Sequence, residues 1–168
     1  MGPDRRHGRQ VAYAVKSIDI DNDVIGDRVD TLKRDGNIHT IKSEYAVKLG
    51  RGLILSPNLT YARANMDGAA NRYDGYGANV SLKRFSPRYF FLTALSYSRN
   101  QYEETHPIFN KTREETIRGG FALLTWFNPF DMHHWFAIGS LGYYHSDANI
   151  DFFDATTTIL LVSVGYKF

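Results

Sequence analysis

Three consecutive residues, His145, Ser146 and Asp147, are of the types that hydrolases use as base, nucleophile and orienting acid. Such a dyad requires the histidine and serine side chains to lie within hydrogen-bond distance of each other. Adjacent residues of a β-strand point to opposite faces, so a regular strand here separates the two side chains. The same geometry argues against a metal pair at His133 and His134. We therefore expect no catalytic residue and no enzymatic activity.

Acidic residues are the second group that could do chemistry. Asp147, Asp151 and Asp154 offer the oxygen ligands that calcium prefers, and Asp21 and Asp23 of the first long loop are further candidates, but the spacing does not match an EF-hand. A charged stretch of this kind is more often a solvated surface, and calcium binding stays the weaker alternative. The chain has no cysteine, which removes thiolate metal sites and disulfides from consideration. We expect no cofactor.

Alternation of apolar with small or polar residues runs along most of the chain and is typical of β-strands with one apolar face. Tyr76, Ala78, Val80 and Leu82, for example, are separated by Gly77, Asn79 and Ser81. No run of 18 apolar residues occurs, so a transmembrane helix is not expected. The pattern predicts eight strands near residues 10–21, 37–49, 53–65, 73–85, 89–102, 113–127, 134–147 and 156–168.

The predicted connections alternate in length. The segments LGRGL, FSPRY and NPFDMH are tight turns, whereas residues 22–35, 66–72, 103–112 and 148–154 form longer polar loops. Short turns at one end and long loops at the other are typical of outer-membrane barrels. We predict an all-β, eight-stranded antiparallel up-and-down transmembrane β-barrel over residues 10–168, with residues 1–9 a flexible N-terminal arm or a cloning remnant. A soluble eight-stranded barrel or sandwich is the alternative.

The polar positions of the strands carry charges among small residues, which suits a narrow lumen closed by internal ion pairs. Eight strands enclose a space that side chains can fill, so these charges are expected to stabilise the barrel rather than to line an ion path. The predicted lumen residues are Lys16, Glu44, Lys48, Lys83 and Arg118.

A short motif occurs three times, as LTYAR, LSYSR and LGYYH. Its leucine and tyrosine would lie on the lipid side of a strand, with the tyrosine at the membrane interface. The predicted aromatic girdle comprises Tyr61, Tyr97, Tyr143, Trp135 and Tyr166. Two residues beyond the tyrosines lie Arg63, Arg99 and His145, which we expect to contact the head groups of outer-membrane lipid and lipopolysaccharide.

The chain ends on Val164, Tyr166 and Phe168 at alternate positions, which resembles the C-terminal insertion signal of bacterial outer-membrane proteins. The stretches SYSRNQYEETHPIFNKTREETIRGGFALLTW and HSDANIDFFDATTTILLVSVGYKF resemble the last hairpins of the barrel that ends surface lipoprotein assembly modifiers and related export porins. The resemblance implies the bacterial outer membrane, a leader peptide outside this numbering, and recognition of the last strand by the outer-membrane assembly machinery.

Acidic residues outnumber basic ones over the four loops and their flanks, residues 19–35, 66–74, 102–116 and 147–154, although the chain as a whole carries a net charge of +2. Dispersed basic residues and acidic loops argue against nucleic-acid binding. We therefore expect a non-enzymatic barrel, alone or within a larger envelope assembly, whose acidic loops form a binding or envelope-stabilising surface. The alternative is a porin or export-type transport barrel, or the closing segment of a larger one.

Overall fold

The computed structural model of the protein describes residues 7–20 and 28–168. It contains eight β-strands, which confirms the strand number predicted from alternation. The strands are β1 (His7–Ile18), β2 (Gly36–Gly50), β3 (Leu53–Met66), β4 (Tyr73–Phe85), β5 (Tyr89–His106), β6 (Lys111–Phe127), β7 (Trp135–Ala148) and β8 (Ala155–Tyr166).

The eight strands form one antiparallel up-and-down sheet, in which each strand pairs with its neighbours in the chain. β1 pairs only with β2, and β8 pairs only with β7, so the sheet is not closed among the described residues. Each of these edge strands is 12 residues long. The sheet therefore ends on two long rows of unpaired backbone groups.

The first tight turn shows why glycine is needed between β2 and β3. Gly50, Arg51 and Gly52 all have positive φ angles, of 94°, 48° and 74°. A Cβ atom on Gly52 would lie 2.2 Å from the carbonyl oxygen of Phe85. Only glycine fits this position without strain, because it has no Cβ and tolerates positive φ.

Two boundaries differ from the sequence prediction. β5 and β6 continue through most of the predicted loop 103–112, and only residues 107–110 form the turn. Thr105 pairs with Thr112 beyond a register shift, so polar residues here extend a hairpin rather than forming a loop. His7–Arg9, which the sequence assigns to the N-terminal arm, form the first pairs of β1.

The few buried residues lie mostly at the end of the sheet that carries the long loops, which we call the loop end. One-turn 3-10 helices at Asp30–Leu32, Ala69–Asn71 and Asp151–Phe153 cover this end. The Asn71 side-chain amide donates to the carbonyl oxygens of Leu32 and Lys33, which joins the first long loop to the second. The buried apolar residues are Leu32, Ala64, Met66, Ala70, Ala148 and Ile150.

Within residues 7–20 and 28–168, no helix combines the length and the apolar character needed to cross a membrane.

Candidate membrane-facing surface and loop end

One side of the sheet carries most of its large exposed apolar residues, and we call it the tyrosine face. Residues paired directly across an antiparallel sheet point to the same side. Tyr61 pairs with Tyr76, and Leu95 pairs with Val80, which places these four side chains together. Leu95 is 64% exposed. The tyrosine face also includes Val11, Tyr13, Ile41, Leu59, Tyr97, Leu141, Tyr143, Leu160, Val162 and Val164.

Aromatic residues lie in two rows on the tyrosine face. The upper row, near the loop end, consists of Tyr13, Tyr61, Tyr76, Tyr97 and Tyr143, and the lower row consists of Tyr89, Trp126, Trp135 and Tyr166. In β5 and in β7 the two rows are eight residues apart, which is about 27 Å along a strand. A strand tilt of about 40° would reduce this to about 21 Å of height, close to the roughly 25 Å apolar band of outer-membrane barrels. Leucine and valine lie between the rows.

The side of the sheet away from the tyrosine face, which we call the opposite face, is polar over β1–β5. It carries Lys16, Glu44, Lys48 and Lys83, four of the five predicted lumen residues. Glu44 forms an ion pair of 2.8 Å with Lys42, and Lys83 interacts electrostatically with the same carboxylate. Over β6–β8 the opposite face becomes more apolar and includes Phe121, Leu123, Ile138, Ile159 and Leu161.

Arg118 lies on a different face of the sheet from the other four predicted lumen residues. It pairs with Tyr97 on one side and with His145 on the other, so all three lie on the tyrosine face. The neighbouring Gly119 and Gly120 interrupt the apolar alternation of β6, so the sequence pattern does not show which face of the sheet Arg118 lies on.

Ion pairs form a charged collar above the upper tyrosine row. Arg63 binds Asp74 at 2.5 Å and also Glu103, so one guanidinium joins β3, β4 and β5. Arg99 binds Glu114 at 2.5 Å and joins β5 to β6. These residues lie beside the predicted lipid head-group region, but both arginines are already paired with carboxylates.

The third predicted head-group contact and the upper tyrosines have polar partners as well. His145 is within hydrogen-bond distance of the Thr156 hydroxyl, 3.0 Å away. The Tyr61 hydroxyl donates to Asp74 at 2.6 Å. Lipid contact by these residues stays a prediction, since the structure shows only their protein partners.

A second cluster lies on the opposite face at the loop end. The Arg113 guanidinium lies between the rings of Tyr102 and Phe153, 3.6 Å and 4.2 Å from their centroids. Its Nε atom is buried and has no hydrogen-bond partner among the described residues. Glu115 accepts hydrogen bonds from Ser146 at 2.7 Å and from Tyr102 at 3.4 Å. The stacked arginine thus holds the last long loop against the β5–β6 hairpin.

His106 packs beside this cluster, with its ring 4.9 Å from that of Phe109 and 5.6 Å from that of Phe153. Its Nδ1 atom accepts a hydrogen bond from the backbone N–H of Ile108. Burial lowers the pKa of His106 below its ordinary value, and the nearby positive charge of Arg113 lowers it further. Burial also raises the pKa of the Tyr102 hydroxyl. Both groups are neutral at physiological pH.

The candidate hydrolase residues are held apart. His145 contacts Thr156 on the tyrosine face, whereas Ser146 donates to Glu115 on the opposite face. These two side chains therefore do not form a dyad in this geometry.

The candidate calcium ligands do not come together either. Asp147 lies on the tyrosine face, and Asp154 accepts a hydrogen bond from the backbone N–H of Ala148. No group of three histidine or acidic residues suited to a metal ion occurs within the described part of the chain. Asp21 and Asp23 lie outside the described residues.

The predicted insertion signal lies at the end of an edge strand. Val164 and Tyr166 are on the tyrosine face, and the Tyr166 ring is 5.3 Å from that of Trp135. Phe168 follows the end of β8 and is fully exposed.

Comparison with known proteins shows which family the chain belongs to. The model of a family described as a protein of unknown function, DUF2860, matches residues 6–167. The chain belongs to the DUF2860 family. No curated protein and no solved structure gives a significant match to this DUF2860 chain. The match spans all eight strands, so the two-faced sheet and the loop end both fall within the region that defines the family.

Several residues of the DUF2860 sheet were not predicted from the sequence. Tyr13, Tyr76, Tyr89 and Trp126 join the aromatic rows, and a period of two counted from the predicted girdle residues of neighbouring strands could have found them. Asp74, Glu103 and Glu114 appeared to belong to a solvated acidic surface, but they are partners of arginines. Only the register between strands reveals those pairs.

Proposed function

We propose that this sheet is the wall of a bacterial outer-membrane β-barrel, with the tyrosine face against lipid and no enzymatic role. The observation that carries the proposal is the inverted exposure of the two faces. Leu59 and Leu95 are 66% and 64% exposed, whereas Asn58 and Ser96 beside them are more sheltered. Single exposed leucines are common in water-soluble proteins, but an apolar patch that extends over a whole face of the sheet is rare in them.

The two aromatic rows support the same proposal. Tyrosine and tryptophan favour the boundary between membrane and water, and here they border a band of leucine and valine of suitable height. Arg63 and Arg99 lie just beyond the upper row, at the level expected for charged lipid head groups. A soluble sandwich has no membrane–water boundary, so it would not account for two aromatic rows with an aliphatic band between them.

The loop end is the proposed binding or envelope-stabilising surface. Packed aromatic rings, the stacked Arg113 and hydrogen bonds between loops give it a defined shape. Ion pairs neutralise part of its acidic charge, so lipopolysaccharide and its divalent cations would meet a mixed surface rather than a uniformly negative one. This favours recognition by shape and hydrogen bonding over attraction by charge alone.

A transport role is the second candidate, and one observation favours it. The eight described strands leave the edges of β1 and β8 unpaired. Closure through further strands, supplied by the same protein or by another copy, would give a wider barrel, and a wider barrel holds an aqueous channel. The filled lumen expected of eight strands would then not apply.

Membrane insertion is tested by refolding the protein with phospholipid vesicles. We expect the protein to float with the vesicles and to migrate differently on a gel before and after boiling. Recovery in the soluble fraction, with one mobility under both conditions, would overturn the proposal. Steady single-channel steps in a planar bilayer would favour transport, and a silent bilayer with inserted protein would favour the binding surface.

A further inference from the structure

A trough crosses the opposite face where β3, β4 and β5 lie side by side. Its volume is about 290 Å³, and six uncharged polar side chains line it. Asn58 pairs with Asn79, and Asn79 pairs with Ser96, which sets three of them in a row across the strands. The six are Asn58, Thr60, Asn79, Ser96, Ser98 and Asn100.

Two glycines form the floor of this trough. Gly75 and Gly77 occupy successive opposite-face positions of β4, the middle strand. Among the described residues, a Cβ atom on Gly77 would make only ordinary van der Waals contacts, at 3.5 Å from the Ser98 Cβ and 3.8 Å from the Thr60 Cβ, so a side chain here would rise between the two flanking strands. A Cβ on Gly75 would lie 2.7 Å from Oδ1 of Asn100, which shows that this amide leans over the glycine. The side chains of β3 and β5 thus form two walls above a low centre.

The walls have unused hydrogen-bonding capacity. The Asn58 amide donates to the Asn79 carbonyl oxygen at 3.0 Å, which leaves the Asn79 NH₂ group available. Thr60, Ser98 and Asn100 make no side-chain hydrogen bond to another residue within 7–20 and 28–168. Each amide offers both donors and acceptors, and each hydroxyl can act as either. The trough therefore suits a ligand that both donates and accepts hydrogen bonds.

An aromatic ring closes one end of the trough. Tyr73 lines it toward the loop end, and its ring is held 5.2 Å from that of Tyr102. An aromatic ring offers an apolar surface beside its polar edge, which complements a ligand with both kinds of surface. No charged side chain lines the trough in the described part of the chain. An ion would leave water here without gaining a counter-charge.

We infer that this trough binds a neutral saccharide. Saccharides combine hydroxyl groups that donate and accept with apolar C–H faces, and they carry no charge that would need pairing. The volume lies just below the range of about 300–1,000 Å³ typical of small-molecule sites, so about one or two sugar rings would fill the trough, and a longer chain would extend beyond its open end. The inference rests on the proposed function with the wider barrel described there, since a lumen filled by the side chains of eight closed strands would leave no room for a ligand on the side of the wall that faces away from lipid.

Binding is measured by isothermal titration calorimetry on the protein refolded in a detergent without a sugar head group. Maltotetraose is the neutral probe, and tetragalacturonate is the charged comparison. We expect saturable binding of maltotetraose and none of tetragalacturonate. Gly77→Val fills the trough floor and should abolish binding, while Asn100→Ala removes one unpaired amide and should weaken binding about fivefold.

Two controls match these variants. Gly139→Val adds the same side chain on the tyrosine face, where a new Cβ would meet none of the described residues within 4 Å. Ser81→Ala removes a polar group from the opposite face outside the trough. Both should bind maltotetraose as the parent does. Failure of the parent to bind, equal binding of the charged probe, or equal loss in the controls would each overturn the inference.

The binding measurement uses micelles and does not depend on vesicle insertion. Saccharide binding by a protein that fails to insert would uphold the trough and overturn the membrane wall. Insertion without saccharide binding would do the reverse.

Discussion

Val80→Arg places a charge where the proposed wall is most sensitive to it. Val80 lies on the tyrosine face of β4, four residues from Tyr76 of the upper row and four from Arg84 at the other end. It is 40% exposed and pairs with Pro57 and Leu95. If the tyrosine face contacts lipid, this position lies near the middle of the bilayer.

The two interpretations of the sheet differ in the size of the effect. An arginine facing lipid at the bilayer midplane destabilises a barrel by about 2–4 kcal/mol. This corresponds to a roughly 30- to 900-fold change in the folding equilibrium. The same substitution on a surface in contact with water usually changes stability by less than about 0.5 kcal/mol.

The free energy of unfolding is measured by guanidinium titration in phospholipid vesicles, with Ser81→Arg as control. Ser81 is the next residue and points to the opposite face, where, among the described residues, its hydroxyl makes only a long hydrogen bond of 3.5 Å to the carbonyl of Ser56. We expect a large loss for Val80→Arg and a small one for Ser81→Arg. A loss below about 0.5 kcal/mol for Val80→Arg would refute the assignment of the tyrosine face to lipid.

Three further predictions concern the turns and the loop end. Gly52→Ala should lower the free energy of unfolding by more than about 1 kcal/mol, because the new side chain combines positive φ with a backbone clash. The loss should exceed that of Gly50→Ala, whose Cβ would meet none of the described residues within 4 Å. Chemical denaturation compares the two variants, and equal effects would contradict the clash. Because the folded-state pKa of His106 is lowered, its contribution to stability is complete above its ordinary pKa of 6.5 and is lost as the pH falls below that value. Protonation also removes the acceptor used by the Ile108 N–H, so the protection factors of the loop-end amides, corrected for the pH dependence of intrinsic exchange, should fall between pH 7.5 and 5.0, and His106→Gln should remove most of that change. Arg113→Lys should destabilise the loop end by about 1–2 kcal/mol in the same exchange measurement, since lysine cannot stack its planar group between two rings, and unchanged protection would contradict the stacking account.

Alternation was sufficient to predict the eight strands because side chains of a strand have a period of two wherever one face is apolar. It failed at residues 103–106, where polar residues on both faces resemble a loop although the β5–β6 ladder continues to His106. It also failed for Arg118, because two adjacent glycines conceal which face is apolar. Both errors arise where the polarity of the side chains does not show which face of the sheet each residue lies on.

The charged collar required information that a single strand does not contain. Arg63, Asp74 and Glu103 are brought together by the register of three strands, while in the sequence they lie 11 and 40 residues apart. The trough likewise depends on which residues of β3, β4 and β5 are neighbours. Closure of the sheet depends on strand number and stagger, which alternation does not encode.

The central claim is that the two faces of the sheet meet different solvents, and a cysteine scan along β5 tests it most directly. The chain has no cysteine, so a spin label can be attached at single positions from Phe91 to Arg99 without a background signal. In vesicles, we predict that labels at Phe91, Thr93, Leu95 and Tyr97 are relaxed mainly by oxygen dissolved in lipid, and that labels at Leu92, Ala94, Ser96 and Ser98 are less accessible to it. Loss of this alternation, or greater oxygen accessibility at the even-numbered positions, would contradict the account.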